Sequence, residues 1–181
     1  MTYLMIPATM LLILSATGGA FDILYLHIWK YKLYSQARTL REHKIHTWQA
    51  ATSGAVVFFL VCRNFQGLAL LLGCSFVLAD IVIEVLDVYC EKESRAHLGG
   101  LPSLEYALHI TMSGGKFAFI ALALAAKPSS AWSLSGAMEM PADYPLLIRF
   151  AGWCVFAFGV ATVALQLWLQ QPRFREESSR R

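Results

Sequence analysis

The chain has 181 residues, a formal net charge of +3 and a mean hydropathy of +0.51, with 57% hydrophobic but only 15% charged residues. Soluble domains carry roughly 25% charged residues, so this composition argues against an ordinary soluble domain, and the small net charge implies no nucleic-acid partner. The expectation is all-α: one integral membrane helical bundle over residues 1–181, with the lipid bilayer as its first partner.

Apolar runs of about 20 residues suffice to cross a ~30 Å hydrocarbon core, and five transmembrane helices are expected. The first covers about 3–29. Its small residues from Ser15 to Ala20 look like the end of a secretory signal. No Lys or Arg precedes the run, however, and apolar sequence resumes from Phe21 to Trp29, which predicts a retained span. The second, about 47–62, is rich in small residues (Ala50, Ala51, Ser53, Gly54, Ala55) that permit close helix packing. A tight turn at Arg63, Asn64 and Gln66 leads into the third, about 65–90, and the breaker Gly99-Gly100-Leu101-Pro102 precedes the fourth, about 104–126. A Pro/Ser-containing loop, 127–143, with Trp132 suited to an interface, leads to the fifth, about 144–169, and a basic tail, 171–181.

Basic residues are retained on the cytoplasmic side during insertion. Lys30, Lys32, Arg38, Arg41, Lys44, Lys92, Arg95, Arg173, Arg175, Arg180 and Arg181 fall on one side of this topology, against Arg63 and Lys127 on the other. The N-terminus is therefore expected outside and the C-terminus in the cytoplasm, in a cell's inner membrane.

This topology gathers Asp22, His27, His43, His46, Asp80, Glu84, Asp87, His97, Glu105 and His109 toward the cytoplasmic end. Residues three or four apart share a helix face, which makes Asp80, Glu84, Asp87 and Glu91 an acidic stripe and pairs Glu105 with His109 and His43 with His46. Asp22 and His27, five apart, fit one α-helical face less well. Ionisable groups at membrane depth are costly and mark functional sites. Imidazole nitrogen with carboxylate oxygen suits iron, zinc or manganese. Cys62, Cys74, Cys90 and Cys154 stand isolated, without a Cys-x-x-Cys motif, and read as packing residues. A catalytic zinc takes about three protein ligands, so the larger set here predicts two metal ions. The expected ligands are His27, His43, His46, Glu84, Asp87, Glu105 and His109, with Asp22, Asp80 and His97 as further ligands or as groups orienting the imidazoles.

Plainer readings compete. Helix ends at a membrane surface commonly carry charge, which accounts for His43, His46, Glu91, Glu93 and His97. It does not account for Asp80, about 15 Å deep at ~1.5 Å per residue, where an unpaired carboxylate costs roughly 2.5–3.5 kcal/mol. Lys116, mid-span in the fourth helix, is a partner for Asp80 as plausible as a metal. Arg95 is expected to pair with Glu91 or Glu93 or to contact lipid phosphate, and Tyr25, Tyr89 and Tyr106 to lie at an interface or to hydrogen-bond ligands.

Three segments carry a family resemblance: Glu42-His43-Lys44-Ile45-His46, Glu84-x-x-Asp87 and Glu105-x-x-x-His109. Their placement at the cytoplasmic end of a bundle resembles, in general style, the integral membrane di-iron oxidases: fatty acid desaturases, hydroxylases and alkane monooxygenases. The His-x(3,4)-His and His-x(2,3)-His-His boxes of those families are absent. The carboxylate-rich set looks more like that of soluble four-helix di-iron proteins, without their Glu-x-x-His motif. The resemblance implies two iron ions, dioxygen, an electron-donor protein, and hydroxylation or desaturation of an apolar or lipid-like substrate. Three alternatives stay open: a zinc-dependent hydrolase with Glu84 or Glu105 as general base, a cation or proton pathway along Asp80, Glu84, Asp87 and Glu91, and haem held by His27 and His109.

Overall fold

The computed structural model describes residues 2–135, 137–140 and 145–174. Tyr144, where the fifth span is expected to begin, lies outside the described residues, as do Asp143 and the tail residues Arg175, Arg180 and Arg181. Helices dominate the described residues, and five are long and apolar enough to cross a membrane. α1 (Thr2–Ala20) runs straight on as a π-helix, Phe21–Lys30, and α2 (Leu40–Val57) ends in a π turn, Phe58–Cys62. α3 (Gly67–Ser94), α4 (Ser103–Ala125) and α5 (Leu146–Leu169) complete the set.

Two helices extend beyond their expected ends, for one reason. α2 starts at Leu40 rather than near Thr47, and α3 continues to Ser94 rather than stopping near Cys90. The added turns carry Glu42, His43, Glu91 and Ser94, all buried. A hydropathy pattern assigns such residues to a solvated loop, yet here each has a polar partner inside the bundle, and buried polar groups persist where they are partnered. The turn before α2 is held by Thr39, whose hydroxyl donates to the Leu33 carbonyl at 2.6 Å.

α1 packs along α4, while α2 lies between α3 and α5. The α1–α4 approach depends on missing side chains, since a Cβ at Gly115 would sit 2.5 Å from Ser15 Oγ. One end of the bundle is an apolar core that includes Leu12, Val56, Leu60, Val61, Leu70, Phe119 and Ala123. The outward faces carry Met10, Leu14, Leu78, Val82, Leu86 and Phe150 exposed, a surface suited to hydrocarbon rather than water.

At the apolar end, the turn after α2 is tied to the connection between α4 and α5. Gln66 N–H donates to the Met138 carbonyl and Met140 N–H to that of Asn64, both at 2.9 Å, and exposed Arg63 pairs with Glu139. Lys127 donates to Asn64 Oδ1 at 3.0 Å and the Phe65 carbonyl at 3.3 Å. Burial pushes its ammonium down to about 8.

Candidate metal centre

The opposite end is polar throughout. Asp22, His27, Glu42, His46, Asp87, Glu91 and Glu105 are all buried there, with His109 half-buried beside them.

α1 contributes through its change of helix type. In an α-helix, residues five apart lie roughly 140° round the axis. The i→i+5 repeat of a π-helix brings them onto one face, and His27 Nε2 comes within 3.4 Å of Asp22 Oδ2. The poor spacing of this pair in the sequence is resolved by the local backbone.

α4 supplies the other half of this group. His109 Nε2 lies 3.3 Å from the same Asp22 Oδ2, and Glu105 Oε1 lies 3.1 Å from His27 Nε2. Two ligand atoms on one metal at ~2.0–2.1 Å stand about 2.9–3.4 Å apart, so these separations suit shared coordination as well as hydrogen bonding. A second group follows on α2 and α3, where His46 Nε2 is 3.1 Å from Asp87 Oδ1, with Glu91 beside them. The groups are joined. Glu91 Oε1 reaches His109 Nδ1 at 3.1 Å, and the His27 and His46 rings meet edge to face at 4.4 Å. Glu42 approaches both of those histidines.

One cation serves this layer within its own shell. Arg95, 1% exposed, donates from Nε to Glu42 Oε1 at 2.8 Å and from Nη2 to Glu105 Oε1 at 2.6 Å, with its guanidinium 4.9 Å from the Tyr31 ring. Burial alone would lower its pKa, but Glu42 and Glu105 outweigh that and raise it. Ser94 donates to the other Glu42 oxygen. Gly99 and Gly100, with φ of 85° and 93°, turn the chain back through left-handed conformations favoured by glycine, and so allow Arg95 to meet Glu105 ten residues on.

The balance of the layer is uneven. Among the described residues, Asp22, Glu42, Asp87, Glu91 and Glu105 share one guanidinium, that of Arg95, and the remaining members are imidazoles. Several buried atoms also make no hydrogen bond among the described residues: Asp22 Oδ1, His46 Nε2, Asp87 Oδ1, Glu91 Oε1, Glu105 Oε2 and His109 Nε2. Where two of these face each other, as His46 and Asp87 do, they meet as a short ion-pair contact of 3.1 Å. Buried polar atoms without a hydrogen bond are uncommon.

Not all the expected ligands join. Asp80 and Glu84 turn to α4, where Lys116 Nζ lies 2.7 Å from Asp80 Oδ2 and also pairs with Glu84. Thr52 and Ser53 donate to Asp80 Oδ1 at 2.9 and 2.8 Å. His43 points the other way, donating from Nε2 to the Gln166 carbonyl of α5 at 3.4 Å, and His97 is exposed, 3.0 Å from Gln36 Oε1. Arg95 pairs with Glu42 and Glu105, rather than with Glu93 or lipid phosphate as its place at a helix end suggested.

Sequence reasoning passed over Glu42 and Arg95 and left Glu91 to the surface. The signals were periodic: Glu42 and His46 are four apart, and the α3 stripe continues at the same spacing from Glu91 to Arg95. No protein family, curated protein or solved structure compared with the chain matches it.

Proposed function

We propose that the protein is an integral membrane metalloenzyme, with its N-terminus outside, its C-terminus in the cytoplasm, and a dinuclear iron site in the polar layer at the cytoplasmic end of the bundle. One ion is held by Asp22, His27, Glu105 and His109, the other by His46, Asp87 and Glu91, with Glu42 and Arg95 orienting the set. The supporting observation is the convergence of imidazole and carboxylate ligand atoms within 4.8 Å of one another in each of three groups, in a layer whose five carboxylates meet one guanidinium among the described residues. Divalent ions would take the place of imidazole protons in offsetting the carboxylates that Arg95 leaves unbalanced, and nitrogen with oxygen ligands suits iron.

The reaction is oxidation of an apolar or lipid-like substrate by dioxygen. In the hydroxylating case one oxygen atom enters a C–H bond and the other leaves as water, consuming two protons and two electrons from a one-electron donor protein. The iron pair supplies dioxygen activation. The chain's own residues hold the ions, and the apolar helices keep bulk water from the site.

The test is elemental analysis of protein purified without chelator. Two irons per chain are expected, falling to one or fewer in His109→Ala and Asp22→Asn but retained in Glu84→Gln, whose carboxylate is committed to Lys116. Zinc alone would redirect the reading to a hydrolase. A folded protein that binds no metal would overturn the metal centre and favour the ion pathway.

A further inference from the structure

Between the polar layer and the apolar core lies a cavity of about 230 Å³, bounded by all five long helices. His46, Asp87, Glu91 and His109 line one end of it, and Val56, Val57, Phe119 and Phe158 line its apolar part. Two further atoms on its wall have no hydrogen-bond partner among the described residues: Thr162 Oγ1 on α5, in a residue 3% exposed, and Ser15 Oγ on α1.

These features restrict the occupant. A cavity of ~150 Å³ holds one benzene, so this one takes roughly ten non-hydrogen atoms. Its one ammonium, Lys116, is bound to Asp80 and Glu84 and is not available to an anionic head group. Asp22, Asp87 and Glu91 also border the cavity, and once two divalent ions balance the layer neither an anionic nor a cationic head group gains much there. Unpartnered hydroxyls suit a neutral group, because each can donate to or accept from a hydroxyl or carbonyl.

We infer that this chamber is the substrate site, and that it takes a neutral, mainly aliphatic molecule of about ten non-hydrogen atoms carrying one hydroxyl or carbonyl. The polar group bonds to Thr162 and Ser15, and the chain lies against Val56, Val57, Phe119 and Phe158. The inference rests on the metalloenzyme reading for its claim that the occupant reacts. Occupancy itself does not depend on metal.

The entrance for a blocking variant is Gly54, which lines the cavity and whose added Cβ would meet nothing within 4 Å. Metal-free protein in lipid nanodiscs is irradiated with a diazirine-bearing 1-octanol, labelled positions are mapped by mass spectrometry, and metal content is measured on parallel chelator-free samples. Labelling of Val56, Phe119 or Phe158 is expected, displaced by plain 1-octanol more effectively than by octanoate. Gly54→Leu removes that labelling. Thr162→Val, nearly the same shape, weakens displacement by 1-octanol three- to tenfold, the effect of one lost hydrogen bond, while leaving displacement by octane unchanged. Labelling confined to outward residues such as Leu78 and Leu86, or unaltered in both variants, overturns the chamber. So does stronger displacement by octanoate. Chamber labelling in a protein that never binds metal leaves the site standing and removes the metalloenzyme reading.

Discussion

Two buried ionic clusters lie along the same bundle, and they are finished differently. Midway along α3, Asp80 and Glu84 close on Lys116, with Thr52 and Ser53 supplying hydrogen bonds to Asp80. Nearer the end of the same helix, Asp87 and Glu91 enter a layer whose carboxylates outnumber its guanidinium among the described residues and face imidazoles instead. The first cluster brings its own cation. The second has the composition of a site that expects one from outside. One stripe of acidic residues thus serves two ends, and what separates them is the side chain opposite: Lys116 in one case, His46 and His109 in the other.

The largest effect should come from opening the closed cluster. Lys116→Met strands buried Asp80 and half-buried Glu84, and breaking a buried pair by removing one partner costs about 3–5 kcal/mol. Thermal unfolding in detergent should show that loss with or without divalent metal. Adding Asp80→Asn and Glu84→Gln should recover most of it. A metal that rescued Lys116→Met would erase the distinction between the clusters.

Lys127 offers a third arrangement, a buried ammonium held by Asn64 Oδ1 and the Phe65 carbonyl. Burial pushes it down to about 8. Below that pH the folded and unfolded forms are both charged and the cost of burying the charge is fully present. Between about 8 and the ordinary value near 10.4, the unfolded state holds the extra proton, so stability rises with pH. At ~1.4 kcal/mol per pKa unit the rise is at most about 3 kcal/mol. Subtracting the pH profile of Lys127→Met from that of the wild type should isolate it, and a flat difference would mean that the two acceptors offset the burial.

Metal should reach only the open cluster. A ligand binding the folded form at 100 times its dissociation constant adds about 2.7 kcal/mol. Iron(II) under anaerobic conditions should therefore raise the unfolding temperature of the wild type and of Glu84→Gln, and chelator should reverse it. Asp22→Asn and His109→Ala should show a smaller increment. An increment undiminished in both would place the ions elsewhere.

The bundle was legible because five apolar runs of crossing length need no knowledge of partners. The helix ends were not, because Glu42, His43, Glu91 and Ser94 look like solvent-facing residues until α3, α4 and α5 are placed against them. The same limit applied at the layer. Asp87, Glu105 and His109 could be placed from spacing alone, but the meeting of Asp22 with His27 needed a π-helix that no side-chain pattern announces. Glu84 shares its face with Asp87, but a face says nothing about which neighbour stands opposite, and here that neighbour is Lys116.

The smallest effects belong to the two histidines outside the layer, and they test whether geometry or residue type decides membership. His97 is exposed and touches Gln36, so His97→Ala should change stability by no more than about 0.5 kcal/mol and leave metal content unchanged. His43 is buried, and its Nε2–H donates to the Gln166 carbonyl on the side of α2 away from His46. Removing that bond should cost roughly 0.5–1.5 kcal/mol. His43→Gln keeps a donor there and should therefore unfold near the wild-type temperature with a full complement of metal. If His43→Gln lost metal while remaining folded, the His43–His46 pair read from the sequence would be the true ligand pair, and α2 would have to rotate to present both to the layer.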